Sequence, residues 1–281
     1  MLVRRAIAGN TWMLGEGVTV AGQGSYFNNT NVRLEADIDL RVVHPVLMID
    51  YGTDVVQQYA DSILNITYVT PTLQETLSKM RSQLASDLMQ TFGKQRVDAS
   101  GNKAIRLSQM TGGAEVDVVP SCRYQHISWL QEQGRYNVIE GVAILSREGG
   151  WTLNFPMQHS RNGIDKRNRT QHRFKKLVRI FKRLRQDLID HGKIKDKVPS
   201  FLVECLVYIV EDWHFLVASD DRYDRVRRVA RRVRELLVDP TRNSKLLEIN
   251  DVKWLFHETQ PWNQSDALAY IDAVILHLGD T

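Results

Sequence analysis

Apolar and polar residues alternate at 17–21 (GVTVA) and at 36–43 (ADIDLRVV), the two-residue period of strands with one face toward a core. Between them, 24–34 is polar and rich in Asn and Gly, which predicts a short connection. From Pro71 the period lengthens. Leu73, Leu77, Met80 and Leu84 recur at helical spacing in PTLQETLSKMRSQLASDLMQTFG, and Gly93 supplies a stop. Strand-like runs return at 103–109, 114–120 and 141–146, and near Trp151. Past Pro156 the character changes: 170–190 puts Phe174, Leu177, Val178, Phe181, Leu184 and Leu188 on one face, with Gly192 close behind. Further helices are predicted at 200–210, 224–238 and 265–278. Strands first and helices after them define an α+β chain, a sheet module over 1–155 followed by a helical module over 156–281.

One strand breaks its own pattern. In ADIDLRVV, Asp37 and Asp39 flank Ile38, so both carboxylates project to one face while Ile38 points to the other. Ionised carboxylates are costly inside a fold unless a cation meets them. Asp117 repeats the situation in AEVDVVP, flanked by Val116 and Val118. Three such carboxylates on neighbouring strands would hold two Mg²⁺ ions roughly 3.5 to 4 Å apart, the spacing used for in-line displacement at phosphorus. Ahead of them, Gly24 lets backbone approach a phosphate and Ser25 offers an N–H and a hydroxyl. A D-x-D alone also fits a solvated turn or a calcium loop. The ordered set of Gly-Ser, polar connection, D-x-D and valine-flanked Asp is far more specific.

Composition narrows the classes. The chain has 281 residues and a formal net charge of +4, with its Lys and Arg gathered at 161–185 and 222–234, a distribution suited to phosphates. Lys175, Arg179 and Lys182 share a helix face that is either solvated or turned toward a triphosphate. The arginines between Arg225 and Arg234 surround a stripe of Val226, Val229, Val233 and Leu237. They suggest a solvated face with acidic partners, or a nucleic-acid surface lacking interleaved aromatics. Cys122 and Cys205 are too few for a disulfide framework and read as buried apolar residues in a reducing cytoplasm. No apolar run reaches membrane-spanning length, and no histidine pattern suggests zinc. Trp151, Trp254 and Trp262 are expected to pack between helices and sheet.

The stretch GSYFNNTNVRLEADIDLRV, followed by VDVVP, resembles the nucleotidyltransferase core of the bacterial CD-NTases. Those enzymes are relatives of cyclic GMP-AMP synthase and oligoadenylate synthase that make cyclic di- or trinucleotide signals in anti-phage (CBASS) defence. The similarity continues in RFKKLVRIFKRLR, VPSFLVECLVYIV and LFHETQPWNQSDALAYIDAVILHLG, and so covers nearly the whole chain. The metal-binding motif alone would also suit poly(A) polymerases or antibiotic nucleotidyltransferases. The resemblance implies a polymerase-beta-like sheet core and an oligoadenylate-synthase-like helical lobe with a cleft between them. It also implies two Mg²⁺, with Mn²⁺ as a substitute, held by Asp37, Asp39 and Asp117. Gly24 and Ser25 would grip the triphosphate, with Lys182 and Ser200 reaching donor phosphates and Phe201 stacking on a base. Nucleoside triphosphates, ATP among them, would be the substrates, with regulatory or effector proteins of a defence operon as partners and no need for nucleic acid or membrane. Members of the family carry a long helix ahead of Gly-Ser, whereas here only about two dozen residues precede it, so either the start is late or that helix is shortened. Two other readings remain: a transferase making linear or single-nucleotide products, and a silent binding module of the same shape.

Overall fold

The computed structural model describes residues 2–32, 38–66, 72–108, 115–194, 198–218 and 222–279. Asp37 and Pro71 lie outside the described residues. The chain forms two compact units, Met1–Tyr26 with Ala36–Pro156, and Phe27–Glu35 with Met157–Thr281. Residues 27–35 thus belong with the helices although they precede most of the sheet in sequence.

The first unit opens with two short helices, α1 (Leu2–Ile7) and α2 (Thr11–Gly15). Its sheet is built from β1 (Thr19–Gln23), β2 (Ile38–Tyr51), β3 (Val97–Asp98), β4 (Ile105–Leu107), β5 (Val116–Leu130), β6 (Arg135–Leu145) and β7 (Trp151–Asn154). Its order is β1-β2-β5-β4-β3, with β6 joining β5 and β7 joining β6. β2 and β5 pair in parallel, whereas every other pairing among the described strands is antiparallel. β5 outruns the predicted 114–120 because its first half pairs with β4 and its second half, from Cys122 to Leu130, pairs with β6. The connection after β1 contains a single helical turn, α3 (Gly24–Phe27), and α4 (Gln57–Leu64) follows β2.

Helix α5 (Leu73–Phe92) starts at a capping box in which Thr72 Oγ1 accepts from Glu75 N and Glu75 Oε2 accepts from Thr72 N. It stops at Gly93, whose φ of +89° few other residues adopt without strain. Leu77, Met80, Leu84 and Leu88 bury its apolar face against β2 and β5. That leaves the opposite sheet face for the odd-numbered residues at the start of β2.

The helical unit comprises α6 (Pro156–Arg169), α7 (Arg173–Asp190), α8 (Ser200–Tyr208), α9 (Trp213–Leu216), α10 (Arg222–Val238) and α11 (Gln264–His277). Pro156 sits at the first turn of α6, where its missing N–H costs nothing. The predicted 170–190 helix begins at Arg173, because Gln171 and His172 turn the chain at φ of 50° and 64°. Thr170 Oγ1 then receives the N–H of Phe174 at 3.1 Å. Phe174, Val178, Phe181, Leu202, Val203, Val229, Val233, Tyr270 and Val274 form the core. The arginines of α10 find acids: Arg232 meets Glu211 and Glu235, and Arg234 meets Asp272. Trp262 is buried in this core, but Trp254 is exposed, contrary to its expected packing role. Cys122 and Cys205 are both buried and free. Among the described residues, no helix is long and apolar enough to cross a membrane.

Candidate active site

The chain places two of the predicted carboxylates side by side. Asp39 on β2 and Asp117 on β5 are register partners in the parallel pair, so their side chains leave the same sheet face from strands about 4.8 Å apart. Val118 and Leu40 point to the other face, which α5 covers. Alternation around each aspartate therefore has a direct cause: apolar neighbours anchor the strand and leave the acid facing outward.

On the flank away from β2, β4 contributes Arg106, the cross-strand partner of Asp117. Its Nε lies 3.2 Å from Asp117 Oδ1 and 3.6 Å from Glu115 Oε2. This pair is partly solvated and contributes little to stability. Its effect is to hold one Asp117 oxygen in place.

Gly24 begins α3 immediately after β1, whose last residue, Gln23, is the register partner of Asp39. The glycine has φ of +73°, and a Cβ built there would lie 2.8 Å from Asp39 Cγ. No other residue fits without displacing the carboxylate. The Gly-Ser turn is thus laid directly on an acidic side chain, and Ser25 follows half-buried. Asp37 would extend the same face, but it lies outside the described residues. Among the described residues, no three His, Cys, Asp or Glu side chains form a metal-binding group.

The other predicted residues lie in the helical unit. Ser200 and Phe201 open α8, and the Phe201 ring lies 5.6 Å from His159 and 6.1 Å from Trp262, half-buried between them. Lys182 is not on a solvated face. It is 2 % exposed, and its Nζ lies 3.1 Å from Glu204 Oε2, itself buried on α8. Lys175 is buried as well, and burial lowers its pKa.

Glu204 organises a cluster that the sequence reading did not anticipate. Besides Lys182, it accepts from Thr30 Oγ1 at 2.8 Å and lies 2.9 Å from His159 Nε2. Burial alone would raise its pKa, but the Lys182 charge and the hydrogen bonds from His159 and Thr30 overcome that and hold it at about 2. Three successive residues are fixed in this way. Asn28 meets His159 of α6, the Asn29 carbonyl accepts from Arg179 of α7 at 2.7 Å, and Thr30 meets Glu204 of α8. The signal was present in SFLVECLVYIV, where a lone acid in an apolar helix demands a partner.

An in-register acidic pair beside a glycine turn, on a sheet followed by a helical bundle, defines the nucleotidyltransferase class. A family model for the cGAS/DncV-like nucleotidyltransferase C-terminal helical domain matches residues 161–279. The chain is 31 % identical to the cyclic dipyrimidine nucleotide synthase CdnE of Cecembia lonarensis, over 99 % of this chain and 90 % of that protein. It superposes on the Rhodothermus marinus CdnE c-UMP-AMP synthase, solved with Apcpp and Upnpp, with a TM-score of 0.79 and 25 % identity, covering 99 % of this chain and 89 % of the other. The Elizabethkingia meningoseptica CdnE cyclic dinucleotide synthase, solved with GTP and Apcpp, gives a TM-score of 0.76 and 28 % identity, covering 99 % and 89 %. The chain belongs to the CD-NTases, the cGAS/DncV-like nucleotidyltransferases.

Proposed function

We propose that the protein joins two ribonucleoside triphosphates through their ribose hydroxyls and closes them into a cyclic dinucleotide, releasing pyrophosphate at each step. The observation that carries this reading is the register pairing of Asp39 with Asp117 beside Gly24. Family membership makes the chain a cyclic oligonucleotide synthase acting on nucleoside triphosphates.

Asp37, Asp39 and Asp117 would supply the hard oxygen donors that two Mg²⁺ ions require, and the glycine beside Asp39 lets backbone lie directly against that carboxylate. When bound, such ions lower the pKa of the attacking hydroxyl and offset the charge of the triphosphate and its leaving group. The protein's own contribution is placement. Gly24 admits the phosphate chain to backbone distance, and Ser25 donates to it. Arg106 orients Asp117 on the side of the attacking hydroxyl. Ser200 serves a donor phosphate and Phe201 a base. Lys182 acts through Glu204 and Thr30, fixing the segment that follows Ser25, rather than by touching phosphate directly. The enzyme is cytoplasmic, and its product is a second messenger of anti-phage defence read by an effector protein.

The test is incubation with all four labelled ribonucleoside triphosphates, singly and with each omitted in turn, then phosphatase and mass analysis. A phosphatase-resistant species with the mass of a cyclic dinucleotide is expected. Linear triphosphate-ended products, or binding without turnover in both Mg²⁺ and Mn²⁺, would overturn the reading.

A further inference from the structure

Strand β2 keeps its register with β5 as far as His44, opposite Cys122, and resumes it at Leu47, opposite Arg123. Pro45 and Val46 fall between. Proline has no N–H for a ladder, and the N–H of Val46 turns back instead to His44 Nδ1 at 3.0 Å. Such bulges re-aim side chains and gather near functional sites. This one tips His44 into a cavity of about 550 Å³ between β2, α2 and α5. That is the size of a small-molecule site.

The cavity floor carries two polar atoms without a hydrogen-bond partner among the described residues. His44 is 4 % exposed, and its Nε2 has no hydrogen-bond partner; Glu16 Oε2, at 3.6 Å, is just beyond reach. Because Nδ1 accepts from Val46, the ring proton sits on Nε2 and points into the cavity. Burial lowers the His44 pKa against the pull of Glu16, so the ring is neutral. Thr76 of α5 is 5 % exposed, and its Oγ1 is equally without a partner. Leaving buried polar groups unpaired is costly, and native folds rarely leave such groups unexplained.

We propose that this cavity binds a planar nitrogen heterocycle that presents a hydrogen-bond acceptor beside an N–H donor, as the pairing edge of a nucleobase does. Three features specify that chemistry. Trp12 supplies a flat wall, with the Lys79 ammonium 4.4 Å from its ring centroid. His44 Nε2–H is a donor with the Glu16 carboxylate as an acceptor beside it, so an adjacent acceptor and N–H answer both, whether carbonyl and ring N–H or ring nitrogen and amino group. Glu16 and Glu75 outnumber Lys79 among the charged residues lining the cavity, which disfavours a polyphosphate and favours a base or nucleoside. The site is distinct from the aspartates. Residues 39 and 44 are an odd number apart on β2, so His44 faces α5 while Asp39 faces away.

Calorimetry with the full chain in EDTA tests this, using uridine as the probe and 3-methyluridine, whose ring N–H is blocked, as the control. Uridine is expected to bind with at least tenfold preference over 3-methyluridine. Glu16→Ala changes a residue exposed at the rim and Thr76→Val removes only a hydroxyl; each should weaken binding at least tenfold while leaving cyclic product formation unchanged. Asp39→Asn should leave nucleoside binding intact. Absence of binding at millimolar uridine would overturn the proposal, as would equal binding of 3-methyluridine, or full affinity in the Glu16→Ala protein.

Discussion

Gly24 and Asp39 occupy adjoining space so completely that a methyl group at position 24 would lie 2.8 Å from the Asp39 carboxyl carbon. The backbone there has φ of +73°, which costs an alanine on the order of 1–2 kcal/mol. Gly24→Ala must therefore move either the turn or the carboxylate. Cyclic product formation is expected to fall at least a hundredfold with a melting temperature lowered by only a few degrees. Initial rates and a thermal melt on the same preparation check this.

The aspartates separate activity from stability in a different way. Asp39 and Asp117 are like charges on neighbouring strands, and Arg106 lies opposite Asp117 across the sheet. Neutralising either carboxylate relieves repulsion from the other and gives up only partly solvated interactions, so Asp39→Asn and Asp117→Asn should melt within a few degrees of wild type without metal. Mg²⁺ or Mn²⁺ should raise the wild-type melting temperature and leave both variants unmoved, because a ligand stabilises only the state that binds it. Product formation in both variants should be near background.

Much of this architecture was legible in local pattern, and what was hidden depended on distant partners. Helix α7 announced itself through Phe174, Val178 and Phe181, all of which face the core. Helix α6 did not, since its buried residues are Gly163 and Lys166. Lys166 is accommodated only because Val210 O and Asp212 receive its ammonium, contacts more than forty residues away. The same reasoning explains Lys175 and Lys182. Their spacing looks like a solvated stripe, and nothing local reveals that Thr30 and Glu204 close over Lys182. Asp39 and Asp117 were readable because a charge between core-facing valines violates the strand pattern wherever it occurs. Their mutual register could not be read, because it requires knowing that β2 and β5 run parallel.

The two cysteines give a simple check on burial. Desolvation pushes the Cys122 thiol up to about 12 and raises Cys205 well above the ordinary thiol range. At pH 8 neither should react with a thiol reagent in the native protein, and both should react once it is unfolded in guanidinium. Rapid native labelling of either would place it at the surface.

Glu204 and Lys182 set the acid limit of the helical unit. Glu204 titrates at about 2 when folded, against an ordinary 4.5. A depressed carboxylate contributes stability that is complete above its unfolded pKa and drains away as pH falls toward the folded one. Denaturant midpoints of wild type and Glu204→Gln should thus differ most above about pH 5 and converge as pH drops toward 2. Removing one partner leaves the other charged and buried, which costs on the order of 3–5 kcal/mol. Removing both does not. Glu204→Leu combined with Lys182→Met should therefore regain most of the stability lost by Glu204→Leu alone. A Thr30→Val change in that double background should cost less than in wild type, because the acceptor for its hydroxyl has already gone. If the two single changes proved additive, the pair would be incidental to the fold.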